Sequence, residues 1–302
     1  MNVLVTGGSG FLGGHVVPLL LRGGHSVTAL ARSDAAAAAV EGLGARAVRG
    51  DLDDPASVEA AFAAGGAGAL VNLASLGFGH APAIVGAAEA TGIGRAVFVS
   101  TTSLFTRLEA RSKAVRQAAE DTIRASRLDW TILRPTMIYG TDRDRNMARL
   151  LQLVRRSPVL PLPGGGRGLQ QPVHVDDLAG AVVAALDRPA AIGQAYDVAG
   201  PDALTLRQVV EEAADAVGRR VRVVSVPAAP AVAVARAYER LSRHPRFTAE
   251  QVARLGEDKA FDIARARADL GFDPRPFRDG IRQEAAAGAG AGAGESRPAR
   301  PG

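Results

Sequence analysis

Apolar positions along the chain follow two rhythms. Up to about residue 134, short runs that are apolar throughout (3–5, 26–30, 45–48, 69–73, 96–100 and 130–133) alternate with helically spaced segments at 34–43, 55–64, 82–91 and 112–126. Strands that are apolar on both faces and alternate with helices belong in a parallel sheet covered on both sides. The crossovers should be right-handed. The predicted class is therefore α/β, a doubly wound parallel sheet over residues 1–134.

Beyond 134 the rhythm breaks. Residues 142–156 read as a helix, 157–168 as a Pro/Gly-rich loop, and 171–175 as a short extended piece leading into a helix over 176–187. Helices are predicted over 205–217 and 228–243, with a strand at 220–226 between them. This half, 135–283, is expected to form a smaller lobe interleaved with the first domain. The closing stretch 284–302 alternates Ala and Gly before turning to Ser, Arg and Pro, and is expected to be a disordered tail.

The first strand runs directly into Thr6-Gly7-Gly8-Ser9-Gly10-Phe11-Leu12-Gly13, and the next segment, to about Leu21, is amphipathic. A strand, a glycine turn and a helix bring bare backbone up to a diphosphate, which then rests on the helix N-terminus. The glycines fit two spacings, Gly8-x-Gly10-x-x-Gly13 and Gly7-x-x-Gly10-x-x-Gly13, and both predict a dinucleotide site.

Composition narrows the picture only at a few points. The absence of cysteine excludes disulfides and thiolate metal ligands, and His15 and His80 have no clustered acids to make a metal site with them. The formal charge is +5, but the arginines are scattered rather than gathered with aromatics, which argues against nucleic acid. No apolar run approaches the roughly 20 residues that span a bilayer, and the first apolar run is a core strand rather than a leader. A cytoplasmic protein with a small-molecule substrate is expected, with a homodimer left open.

Several later phrases add to the glycine turn: Gly50-Asp51-Leu52, Asn72-Leu73-Ala74, Val99-Ser100-Thr101-Thr102, Ser112-Lys113, Leu133-Arg134-Pro135 with Tyr139-Gly140, Val173-His174-Val175-Asp176-Asp177, and Leu270-Gly271-Phe272-Asp273-Pro274. In this order and spacing the chain resembles the extended short-chain dehydrogenase/reductases, the NAD-dependent epimerase/dehydratase family, over about residues 1–283. The resemblance implies a Rossmann domain under a substrate lobe. Cofactor contacts are then expected at Gly7, Gly10, Phe11, Leu12, Gly13, Arg32, Asp51, Leu52, Ala74, Lys113 and Pro135. Asp51 with Leu52 would seat the adenine, unless Asp51 is only a turn residue or cap. Ala74 would lie beside the nicotinamide ribose, unless its small size merely serves packing.

Cofactor choice follows from charge at the end of the second strand, where a carboxylate suits the ribose of NAD and a cation the 2′-phosphate of NADP. The strand ends Leu30-Ala31-Arg32-Ser33. Arg32 can pair with a phosphate, whereas Asp34 reads as the N-cap of the next helix. NADP(H) is preferred, with NAD(H) as the alternative.

The reaction centre departs from the family. The resemblance implies a Ser/Thr after the fifth strand, met by Thr101, and a Tyr four residues before a Lys. Lys113 stands in place, but the Tyr position holds Glu109. The tyrosines are Tyr139, Tyr196 and Tyr238, all far downstream. Glu109 and Tyr139 are both carried forward as candidate proton donors, against solvation for the first and packing for the second. Asn146, Arg145 and Arg149 are expected on the substrate side; Gln170, Gln171 and His174 follow the Gly-rich loop, the resemblance implies that the phrase from His174 begins a helix beneath the site, and Asp176 is expected as a helix cap. The expected function is NADP(H)-linked hydride transfer on a small carbonyl or secondary alcohol. The alternatives are a non-catalytic NADP(H)-binding structural or regulatory protein and a nucleotide-sugar epimerase/dehydratase.

Overall fold

A computed structural model describes residues 1–107, 111–144, 146–242 and 248–293, without the side chains of Arg111 and 289–293. In chain order the first elements are β1 (Asn2–Thr6), α1 (Gly13–Arg22), β2 (Ser26–Ala31), α2 (Asp34–Glu41), β3 (Arg46–Arg49), α3 (Pro55–Gly65), β4 (Ala69–Asn72), α4 (Ala81–Ala90), β5 (Arg95–Val99), α5 (Arg111–Ala125) and β6 (Asp129–Pro135). They are followed by β7 (Ile138–Tyr139), α6 (Met147–Arg156), β8 (Val159–Pro163), β9 (Leu169–Gln170), β10 (Val173–His174), α7 (Val175–Asp187) and β11 (Gln194–Val198). The chain closes with β12 (Leu204–Thr205), α8 (Leu206–Ala216), β13 (Arg222–Val226), α9 (Ala228–Leu241), α10 (Ala249–Arg254), α11 (Ala264–Leu270) and α12 (Phe277–Ala293).

Two compact units result. The first comprises 1–136, 175–199 and 262–274; the second takes 137–174, 200–261 and 275–302. In the first unit seven parallel strands lie in the order β11-β6-β5-β4-β1-β2-β3. Strand order reverses between β1 and β4, which is where a doubly wound sheet binds its ligand. Val3, Leu4, Val5, Leu70 and Val71 are fully buried because both faces of the sheet are covered. On one face Leu4, Leu70, Phe98 and Ile132 pack with Phe62, Ile84 and Ile123.

Local chemistry fixes the element ends. Asp54 accepts from the N–H groups of Ala56 and Ser57, Pro55 opens α3, and Gly66 closes it in the left-handed conformation. Thr205–Gln208 and Thr248–Gln251 form capping boxes at α8 and α10.

Three expectations change. Residues 157–168 are not all loop, since β8 pairs in parallel with β13 in the second unit. The large sheet does not stop at 134, since β11 adds a seventh strand beside β6. The Ala/Gly stretch from 284 is helical as far as Ala293, because Phe277, Ile281 and Ala285 recur every four residues and bury one stripe of α12 against Tyr139 and Met147. Among the described residues no helix is long and apolar enough to cross a membrane.

Candidate functional site

The glycine turn leaves β1 at Thr6, whose hydroxyl donates to Asn72 Oδ1 at 2.6 Å, while Asn72 Nδ2 donates to the Ala74 carbonyl at 3.0 Å. This buried amide draws the ends of β1 and β4 together. Gly7 sits there with φ +73°, and a Cβ on it would meet the Ala74 nitrogen at 2.8 Å. On Gly13 a Cβ would meet the Gly8 carbonyl oxygen at 2.2 Å. These two glycines are required by the fold itself.

Gly10 is different. Its Cβ would touch only the Gly7 carbonyl oxygen, at 3.1 Å. Among the described residues, the N–H groups of Phe11 and Leu12 at the head of α1 have no hydrogen-bond partner. A bare glycine beside unused helix-terminal donors fits a dinucleotide diphosphate. The turn is held from behind by His15, whose Nδ1 lies 2.6 Å from Asp176 Oδ1 and whose ring meets Phe11 edge-on. Asp176, the second residue of α7, thus ties α7 to α1.

At the ends of β2 and β3 a hollow of about 500 Å³ is lined by Arg32, Ser33, Asp34, Arg49, Gly50, Asp51 and Ser57. Ser33, not Asp34, caps α2, accepting from Ala36 N at 3.2 Å. Asp34 lies one residue further on and pairs instead with Arg49. Arg32 is largely exposed, with Nη1 3.8 Å from Asp53 Oδ2, and the other oxygen of Asp53 lies 2.9 Å from His80 Nε2. Asp51 accepts from the Asp53 N–H through Oδ1 and donates its own N–H to Ser57 Oγ, so it builds the turn after β3. A Cβ on Gly50 would meet Leu30 Cδ1 at 2.5 Å and Ala61 Cβ at 2.9 Å, so a side chain there would force its neighbours to shift.

At the reaction end, Thr101 caps the short turn Thr102–Phe105, accepting from Ser103 N at 3.2 Å, and Thr102 donates to the Pro135 carbonyl. Among the described residues the Ser103 hydroxyl is buried without a partner; nothing in the sequence set it apart from its neighbours. Lys113 Nζ donates to the Thr106 carbonyl at 2.7 Å, one bond of the three it can make. Glu109 and Arg145 lie outside the described residues.

Two turns beyond Lys113 on α5, Glu120 is fully buried. It accepts from Ser100 Oγ at 2.7 Å, from Arg134 Nη2 at 2.6 Å and from Arg124 Nη2 at 2.7 Å, and Arg134 also approaches Asp197 at 3.7 Å and stacks over Phe105. Burial alone would raise the Glu120 carboxyl, but hydrogen bonds from Arg134 and Ser100 and the two guanidinium charges hold it below the usual carboxylate range. This network ties α5 to β6 and to Ser100, the neighbour of Thr101 in sequence, and no motif marks it because Glu120 sits in none.

The second unit holds the remaining candidates. Tyr139 is fully buried, edge-on to His174 and Phe277, with its hydroxyl donating to the Phe277 carbonyl at 3.4 Å. A Cβ on Gly280 would lie 2.2 Å from that hydroxyl oxygen. Tyr139 is therefore engaged in packing, the role weighed against proton donation for it. Gln171 bridges Gly200 and Phe261, and Gln170 meets Lys259 Nζ at 3.3 Å, so both serve as internal ties. Asn146 and Arg149 are exposed; Asp144 does the capping of α6, accepting from the N–H groups of Asn146, Met147 and Ala148. Glu284 is buried and accepts from Gly140 N at 3.0 Å, an N–H that Asp144 Oδ2 also approaches. Burial, then the adjacent Asp144, push its carboxyl up to about 8.

Comparison with known proteins agrees with this geometry. A family model described as NAD(P)H-binding matches residues 7–189. The chain belongs to that family of NAD(P)H-binding proteins. It is 30% identical to 2-alkyl-3-oxoalkanoate reductase of Stenotrophomonas maltophilia over 95% of this chain and 99% of that protein. It is 32% identical to ceramide reductase of Caulobacter vibrioides over 74% of this chain and 73% of that one. In fold it is similar to Thermus thermophilus UDP-glucose 4-epimerase, solved in complex with NAD, with a TM-score of 0.73 at 23% identity over 96% and 100% of the two chains.

Proposed function

We propose that the protein is an NADP(H)-linked reductase of a small carbonyl compound, running in reverse on the secondary alcohol. The observation that carries the cofactor choice is the hollow at the ends of β2 and β3, where Ala31 offers no carboxylate and Arg32 stands exposed. Two reductase-named relatives support the reaction class.

In this reading the turn from Gly7 to Gly13 holds the diphosphate on the free N–H groups of Phe11 and Leu12. Asp51 and Leu52 flank the adenine, Ala74 and Pro135 leave room at the nicotinamide end, and Lys113 uses its spare N–H donors on the ribose. Thr101 orients the substrate oxygen through its hydroxyl proton, since its lone pair already takes Ser103 N. The bound nicotinamide supplies or accepts the hydride. A proton must then reach the new hydroxyl, and with Tyr139 buried the remaining candidate among the residues singled out is Glu109.

The test is NADPH oxidation against a panel of carbonyl compounds that includes 3-oxo acids. Turnover that falls by about 10²–10⁴ in Glu109→Gln and survives in Tyr139→Phe supports the reading. The Glu at the family's Tyr position favours a second reading, a dinucleotide-binding protein without turnover. NADPH binding with no oxidation across the whole panel would select it.

A further inference from the structure

The hollow contains a second arginine that no motif announces. Arg49 ends β3, in register with Ala31 of β2, so its guanidinium borders the same hollow as Arg32. Both cations are tied to carboxylates in water, Arg49 to Asp34 and Arg32 to Asp53. Asp34 is 98% exposed and Arg49 55%, and exposed pairs of this kind are weak and screened by salt.

We infer that Arg49 is the second arm of a phosphate clamp reading the 2′-phosphate of the dinucleotide, and that Asp34 holds this arm in place until the phosphate takes it over. The inference rests on the NADP(H) reading of the site. A phosphomonoester dianion offers three acceptor oxygens and about twice the charge of a carboxylate. It can therefore displace Asp34 from a solvated guanidinium, which also prefers a planar two-oxygen contact. The first turn of α2 opens on the hollow with Ser33 as its cap, so the phosphate would also meet the positive end of an eight-residue helix. Asp34 has two effects of one sign: it occupies Arg49, and it repels the phosphate. With two arginines and two aspartates the lining is neutral, so neither arginine alone creates a cationic pocket. Discrimination then depends on freeing both.

Calorimetric titration of the full chain with 2′-AMP and 5′-AMP, and with NADPH and NADH, tests the clamp. Wild type should prefer 2′-AMP and NADPH. Arg49→Ala should lose about tenfold for these two and leave 5′-AMP and NADH unchanged. Asp34→Asn should tighten 2′-AMP by a few-fold, and that gain should shrink once Arg49 is also replaced. A change in simple repulsion would persist undiminished in the double variant. If Arg32→Ala discriminates between the nucleotides and Arg49→Ala does not, the cofactor reading stands and the clamp falls. If wild type binds 2′-AMP and 5′-AMP alike, the cofactor reading falls and takes the clamp with it. Unaltered thermal unfolding of each variant confirms that affinity, not folding, has been measured.

Discussion

Two glutamates, one in each unit, are buried to nearly the same extent, yet their carboxyls move in opposite directions. Glu120 in α5 has two guanidinium groups and a hydroxyl around it and stays ionised. Glu284 in α12 faces Asp144, with Asp142 nearby, and is offset only by one peptide N–H, so it holds its proton up to about 8. Desolvation opposes the charged form at both sites. The partners decide the outcome: those of Glu120 lie within 20 residues of it, one of them a turn away on α5, whereas Gly140 and Asp144 reach Glu284 from the other end of the second unit's sequence.

The contrast breaks most visibly at Glu120. Glu120→Gln should cost about 3–5 kcal/mol of the first unit's stability near neutral pH, because Arg134 and Arg124 would be left facing a neutral amide; denaturant unfolding measures it. The pH arms of the wild type should follow from the directions of the two shifts. A lowered carboxylate contributes stability above its unfolded value of 4.5, so the Glu120 contribution fades as pH drops through and below that value. A raised one does the reverse: the Glu284 contribution is complete below 4.5 and is lost as pH climbs to about 8. Glu284→Gln keeps an acceptor for Gly140 and gains a donor towards Asp144. It should flatten the alkaline arm and stabilise the second unit at pH 9 by about 1 kcal/mol or more. An alkaline arm that survives this substitution would mean that another group titrates there. The smallest effect on folding belongs to the exposed cation: Arg32→Ala should alter stability by less than about 0.5 kcal/mol, while weakening NADPH binding on the order of tenfold and sparing NADH.

These differences track what a sequence can display. The six early strands and the glycine turn were legible because their apolar runs and their spacing are local. Strand β11 was not: Gln-Ala-Tyr-Asp-Val alternates polar and apolar residues, as suits an edge strand with an ion pair at Asp197. Strand β8, Val-Leu-Pro-Leu-Pro, was hidden by its prolines, which survive because it pairs only with β13. The helical part of the Ala/Gly stretch was hidden by composition, although Phe277, Ile281 and Ala285 already carried its buried stripe. At the candidate site the glycines and Arg32 could be named from motifs. Arg49 and Glu120 could not, because each matters only through neighbours that the fold supplies, and the packing role weighed for Tyr139 is likewise set by partners, His174 and Phe277, that only the fold brings to it.

The late arrival of β11 bears on how the protein is made. When a ribosome has released the chain as far as Pro135, six of the seven strands exist and β6 is an open edge whose outer N–H and C=O groups await Gln194–Val198. Some sixty residues must still be translated, roughly 3–12 s at ordinary elongation rates. For that interval a largely apolar strand, Trp130-Thr131-Ile132-Leu133, is available to any other nascent sheet. Production of this protein at high expression levels should therefore be limited by aggregation during synthesis, and slower initiation or a holding chaperone should raise the soluble yield more than any stabilising substitution in the finished fold.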